Sequence, residues 1–454
     1  SPFPQACISR LMARRIWLFV FLFLAAWPAA SAAQTRLSLP DAITAATTRN
    51  PGLQAARAQA DRAEADATVA RAAWWPRLTA TESVQRSDQP VFAFGALLSA
   101  RQFTAADFAV SRLNSPGATN LFTTRLTVGQ LVFDGGRTPG AVAAATAQRD
   151  IAEADADGAA AQTALAVTRV YGHLLTGQSH ARAIDAAVAA AVEDVTRAER
   201  RRDAGAATDA DVLAVSVHLA EMRQRRLQID ADLGAARAQL NRLMGAPIDA
   251  AFDVVEELPA PLPAGDLAPL FEEAGAARPE LRRADAQVRA AEAGVRQAKA
   301  VWWPQVFAQA GIEWNGVRAA ERSGSWVIGG EARWTLSLSG ADAARVRAAA
   351  AARTSASAAR DDLRAAVQVE VFTAARQLET AIARTAVGAA AVAQSEERAR
   401  VVRNRYEAGL ASMTDVLAAA SATLDAESRR VAAAVDALVA GAELQRALGR
   451  FPRN

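Results

Sequence analysis

The chain has 454 residues, enough for two or three ordinary domains, with 51 Lys and Arg against 48 Asp and Glu. The basic excess lies in residues 1–33, where Arg10, Arg14 and Arg15 face no acid, so the remainder is charge-balanced and gives no footing for a nucleic-acid partner. The single cysteine, Cys7, excludes a disulfide framework and thiol chemistry in the rest of the chain.

Met12-Ala13-Arg14-Arg15 is a basic start, Ile16 to Trp27 a strongly apolar stretch, and Ser31-Ala32-Ala33 a small-residue cleavage site, so residues 1–33 are expected to be an export signal beginning at Met12. Its 12 apolar residues are too few to span a bilayer. No later apolar run is long enough for a membrane helix, so any membrane crossing falls to strands.

The rest of the chain is written twice. Arg49-Asn50-Pro51 leads to Trp74-Trp75-Pro76, and Arg278-Pro279 leads to Trp302-Trp303-Pro304, a shift of 228 residues (51 to 279, 74 to 302). The segment Gly205 to Leu213 returns as Gly409 to Leu417, now shifted by 204 (205 to 409, 211 to 415). The 24-residue difference is an insertion in the first copy between Trp75 and Gly205. The organisation read from this is a first structural repeat over 34–245, a proline-rich linker over 246–265 and a second repeat over 266–454.

In each copy a helix is expected from Pro51 or Pro279 to the Trp-Trp-Pro, followed by strands. Proline is absent from 140–245 and from 305–451, tracts rich in Ala, Arg, Glu, Gln and Leu, which permits very long helices. One is expected from about Arg137 to Asp203 and one from Ala341 to Glu407, each of 67 residues. At ~1.5 Å per residue they are roughly 100 Å long. Gly205 and Gly409 stop them, Thr208 or Asp209 and Ser412 or Thr414 cap the returning helices, and these end near Gly245 and Gly449.

The strand segments alternate with period two. Val306, Ala308, Ala310, Ile312 and Trp314 oppose Gln305, Phe307, Gln309, Gly311 and Glu313, and a second run extends from Trp326 through Trp334 to Leu338. Leu78, Ala80 and Val84 alternate with Thr79, Thr81, Ser83 and Gln85; Leu126 to Val132 alternates less cleanly. Such strands suit a half-buried sheet or a lipid-facing barrel wall. Trp74, Trp75, Trp302, Trp303, Trp314, Trp326 and Trp334 all fall in strands or at helix–strand junctions, none in a long helix, which favours membrane-interface aromatics. About four spanning strands per chain cannot close a barrel, and an open edge cannot face lipid. Two chains would supply eight strands and a filled interior, three would supply twelve and a lumen. The insertion, about Asp88 to Thr119, lies between two strands of the first copy and is expected to be an outer loop.

Chemistry finds little footing. His173, His180 and His218 lack metal-ligand spacing, no Ser, His and Asp stand in a nucleophile context, and Gly135-Gly136-Arg137 lacks the rest of a phosphate loop; neither enzyme nor cofactor is expected. A periplasmic coiled-coil adaptor or scaffold would share the export signal and long helices, but has no need of duplicated strands bearing tryptophans.

The ordered set of Asn50-Pro51 and Arg278-Pro279 helix starts, two Trp-Trp-Pro ends, Gln130 to Arg137 before a long helix, and Arg405-Tyr406-Glu407-Ala408-Gly409-Leu410 with Asp415-Val416-Leu417 resembles the TolC-like outer-membrane efflux protein family over nearly all of the chain beyond residue 33. The resemblance implies a mixed, mostly helical, internally duplicated chain with four transmembrane strands. It implies a homotrimer in the outer membrane of a Gram-negative bacterium, with a 12-stranded β-barrel and a 12-helix periplasmic α-barrel. It further implies an exit duct that docks a periplasmic adaptor and an inner-membrane pump such as a resistance-nodulation-division transporter, passing small molecules or, in type I secretion, proteins. By the same resemblance Asp415, Asp211 and Tyr406 belong to the periplasmic constriction, and Gly205, Gly409 and Leu410 to the helix tips that meet the adaptor. Ala418 and Ala411 depart from the family, where some members carry a second aspartate and an arginine, so a double acidic ring and its ionic latch are not expected.

Overall fold

The computed structural model describes residues 35–205, 207–255 and 263–450. The expected export signal and residues 256–262 of the linker lie outside the described residues.

The duplication is visible element by element. The first copy runs β1 (Thr35–Leu37), α1 (Leu39–Arg49), α2 (Pro51–Ala72), β2 (Arg77–Ser87), α3 (Pro90–Ser99), α4 (Val110–Asn114), β3 (Thr119–Phe133), α5 (Arg137–Asp203) and α6 (Asp209–Met244). After β4 (Phe252–Val254), the second runs α7 (Leu267–Ala277), α8 (Pro279–Lys299), β5 (Gln305–Arg318), β6 (Glu321–Arg333), α9 (Ala341–Glu407) and α10 (Met413–Leu448). The long helices α5 and α9 take the expected bounds, 67 residues each. Thr208 and Ser412 are the caps of the return helices.

Helix α5 lies between α2 and α8 in the half nearer the sheet and between α6 and α10 in the other half, with α9 beside α8 and then α10. Each half is therefore a curtain of four helices, with α5 and α9 common to both. Alanine dominates the contacts, so the helices approach closely. Ion pairs cross between them: Arg149 of α5 reaches Glu64 of α2 at 3.3 Å, and Arg282 and Arg289 of α8 reach Asp157 and Asp150 of α5 at 2.5 and 2.8 Å. Two equivalent cores sit at mid-length. One gathers Val167, Tyr171 and Leu174 with α1 and the end of α6; the other gathers Val371 and Leu378, 204 residues after Val167 and Leu174, with α7 and the end of α10.

Three features depart from the sequence-based expectation. Helices α1 and α7 precede the proline-started helices, and β1 pairs in parallel with β4. The buried Tyr171 hydroxyl joins that pair, lying 3.0 Å from Leu37 O and 2.8 Å from Val255 O. The insertion is folded: α3, a 3-10 turn at Ala105–Phe108 and α4 occupy the segment expected as a loop, because Pro90 starts a helix whose Phe94 packs edge-on to Phe103 at 4.8 Å. Strand β6 ends at Arg333, so Trp334, Leu336 and Leu338 follow the strand instead of extending it; Asp342 turns the chain there by accepting the Ser337 N–H at 2.7 Å.

Candidate functional site

The residues singled out by sequence gather in two places: the face of the sheet and the far tip of the helices. The four strands pair antiparallel in the order β2-β3-β5-β6. The register brings the alternating residues into rows: Leu78, Val128, Ala310 and Ile328 in one, Ala80, Leu126, Ile312 and Trp326 in the next. These apolar rows cross all four strands and their side chains are largely exposed; Ile328 is 74% and Trp326 76% exposed. The opposite face carries Thr79, Thr127 and Gly311 opposite Val327, then Thr81, Arg125, Glu313 and Ser325, with Arg125 paired to Glu313 at 2.5 Å. The untidy alternation near Val132 has a local cause. A bulge between Leu131 and Phe133 moves Phe133 onto the apolar face opposite Val306, where its ring meets Trp303 edge-on at 6.2 Å.

The apolar band has limits at both ends. Beyond it, Glu82 accepts from Thr124 Oγ1 at 2.5 Å and pairs with Arg322 at 2.9 Å, in the row that also holds Trp314. At the helix end stand Trp74, Trp75, Trp302 and Trp303, with Trp334 just past β6, all exposed. From Val306 to Trp314 a strand advances eight residues, about 27 Å at ~3.4 Å each. With a ~40° tilt the band is about 21 Å tall, near the ~25 Å apolar belt of outer-membrane barrels. Trp314 therefore sits at the limit of the band away from the helices, Trp326 one row inside it, and the other five at the helix end.

At the tip, Gly205 (φ 73°) and Gly409 (φ 75°) turn the chain between long and return helices, and Leu410 is exposed. The two aspartates close capping boxes. Thr208 N and Oγ1 donate to Asp211 Oδ2 at 2.9 and 2.8 Å, while Asp211 N donates to Thr208 Oγ1; Ser412 and Asp415 repeat this at 2.9 and 2.7 Å. The Thr208 amide and hydroxyl hold the Asp211 carboxyl below the usual carboxylate range, and the Ser412 hydroxyl and amide do so for Asp415. Asp415 is exposed and Asp211 half-buried, and both carboxyls are ionised at neutral pH. Tyr406 packs with Met413, Val416, Ala198 and Val215, so it joins the hairpins of both copies. The Arg201 guanidinium lies over its ring, 4.9 Å from the centroid. Arg201 was not singled out by sequence; its only signal was the Arg200-Arg201-Arg202 run, which reads as cations near a helix C-terminus.

Among the described residues no three His, Cys, Asp or Glu side chains gather as a metal set, and no helix is long and apolar enough to cross a membrane. Solved structures share the fold. The outer-membrane channel OprN matches with a TM-score of 0.77 at 20% identity, over 90% of this chain and 89% of that one. VceC of Vibrio cholerae matches at 0.74 and 22%, over 90% and 96%. The CmeC outer membrane channel of Campylobacter jejuni matches at 0.76 and 15%, over 90% and 85%. No curated protein sequence matches. The model of the outer membrane efflux protein family matches residues 42–246 and again 270–450, most of the chain and once per copy. On that double match, the chain belongs to the outer membrane efflux protein family and has the TolC-like fold of its channels.

Proposed function

We propose that three copies assemble into an exit duct for small molecules, with a 12-stranded barrel in the outer membrane of a Gram-negative bacterium and a 12-helix tube below it. The observation that carries this is the continuous apolar band on a four-stranded sheet whose β2 and β6 edges are unpaired among the described residues. Lipid tolerates no open edge, so other copies must continue the sheet. The polar face then lines a lumen.

In this duct the tip is the periplasmic end. Asp415 and Asp211 from each chain narrow it, and Gly205, Gly409 and Leu410 form the surface that meets a periplasmic adaptor, which links the duct to an inner-membrane pump such as a resistance-nodulation-division transporter. Tyr406 holds the tip closed. Arg201 from the first copy, stacked on the Tyr406 ring, braces it there. An acidic ring of Asp415 would attract cations by focusing the field in a narrow mouth. Asp415→Ala should then relieve block of the pore by divalent cations in planar bilayers; unchanged block would remove Asp415 from the constriction.

Negative-stain electron microscopy of the detergent-extracted protein tests the assembly. A hollow three-fold cylinder of roughly 140 Å, from ~100 Å helices and strands at ~3.4 Å per residue, is expected. Solid monomeric or dimeric rods would refute it.

A further inference from the structure

The folded insertion has no counterpart in the second copy, where β5 and β6 join through Ala319 and Ala320. It lies on the polar face of the sheet. Asn315, on that face and hydrogen-bonded to Thr123 Oγ1 at 2.7 Å, is covered to 3% exposure. Ser323, in the same row, donates to Ala100 O at 2.8 Å, and Arg101, itself at φ 54°, donates to Gly324 O at 3.0 Å. Helix α3 turns its small residues Ala93 and Ala96 inward, with Ala100 just past its end, all buried. At 100° per residue the opposite side presents Val91, Gly95 and Leu98. Val91 is 79% and Leu98 48% exposed, and nothing stands within 4 Å of where a Gly95 side chain would begin. Phe94, Phe103 and Phe108 pack edge-on within the insertion, and Asp107 closes a capping box on Thr104 and pairs with Arg112 at 2.8 Å. The segment is a folded unit held to the strands, with an apolar ridge turned away from them.

We infer that this unit is a lid: three copies of α3 meet through Val91, Gly95 and Leu98 on the duct axis and close its outer mouth. The inference rests on the three-chain duct. The occupant of the ridge follows from closure of the sheet, because copies that pair at the β2 and β6 edges turn their polar faces to one axis and carry their lids with them. Dimensions then leave the lids no room to avoid one another. Twelve strands ~4.8 Å apart and tilted ~40° make a wall of radius about 12 Å. A helix with its side chains is ~10–12 Å thick. One helix on the inner wall therefore reaches the axis, and the side it presents there is the apolar one.

The test uses the full chain with Cys7→Ser, which removes its single cysteine, and Leu98→Cys added. Mild oxidation of assembled trimers should link chains in pairs, giving a reducible dimer band that Cys7→Ser alone does not give. A second strain carries Thr127→Cys, in the polar face below the lid. A bulky membrane-impermeant maleimide added to intact cells should label it slowly, and several-fold faster when Val91→Asp and Leu98→Asp are added. Trimers that form without the Leu98→Cys cross-link, or in which Thr127→Cys is labelled equally fast with and without the aspartates, overturn the lid and leave the duct standing. Chains that are monomers by electron microscopy overturn both readings.

Discussion

Gly245 ends α6 where a side chain has no room: a Cβ there would fall 2.4 Å from Arg49 O, and φ is 68°. Gly409 has a similar φ of 75° but open space around it. A residue other than glycine pays about 1–2 kcal/mol for the left-handed conformation at either site. At Gly245 it must also push back the α1–α2 junction, where Asn50 Nδ2 donates to Leu243 O at 2.9 Å. Gly245→Ala should therefore lower the melting temperature of the purified protein clearly more than Gly409→Ala; equal shifts would show that the junction yields freely. The aspartates of the tip make a pH prediction with a definite sign. A carboxyl whose folded pKa is depressed adds stability above its unfolded value, near ~3.9, and loses it as pH falls through the lower folded value. The Thr208–Asp211 and Ser412–Asp415 boxes should persist from neutral pH down to about pH 4 and open below it. Hydrogen exchange in the first turns of α6 and α10, corrected for intrinsic rates, should accelerate only in that acid range. Thr208→Ala should bring the acceleration to neutral pH in α6 alone, at a cost of about 1 kcal/mol.

At the scale of elements, the sheet makes the sharpest contrast. Val128 and Thr127 are neighbours in β3, on opposite faces. A buried arginine facing lipid costs ~2–4 kcal/mol near the middle of a membrane, whereas one facing a lumen remains hydrated. Val128→Arg should lower the amount of assembled protein in outer-membrane fractions, and Thr127→Arg should leave that amount unchanged while altering the ion selectivity of the pore. Loss of assembly in both would mean that the polar face is not a lumen. Much of this layer was legible in the sequence, because period-two alternation is a local signal that the register preserves. The parts that were not legible have physical reasons. The bulge at Val132 breaks the period where β3 turns toward Trp303. Strands of three residues, β1 and β4, are too short to show a period, and their pairing depends on Tyr171 from a helix far along the chain. Helix α3 is apolar on both sides, so no periodicity separates it from a loop, and its helical state is fixed by Pro90 and by the strands beneath it.

Across the whole molecule the duplication is a copy of elements, and the tip is held by contacts between the copies. Repeat shifts in the sequence located both turns, yet they could not reveal that Arg201 of the first long helix reaches Tyr406 of the second, because no spacing rule links residues on separate helices. That contact is worth about 0.5–2 kcal/mol, depending on how far it is desolvated. It lies beside the apolar cluster of Ala198, Val215, Met413 and Val416 that joins the two hairpins. If it helps to hold the periplasmic end closed, Arg201→Ala and Tyr406→Ala should each raise single-channel conductance. Their effects should not add, since either change removes the same interaction, and the double variant should conduct like the stronger single one. Additive effects would separate the two residues. No effect from Arg201→Ala, with a clear effect from Tyr406→Ala, would assign closure to the apolar cluster alone, with the guanidinium merely resting on the ring.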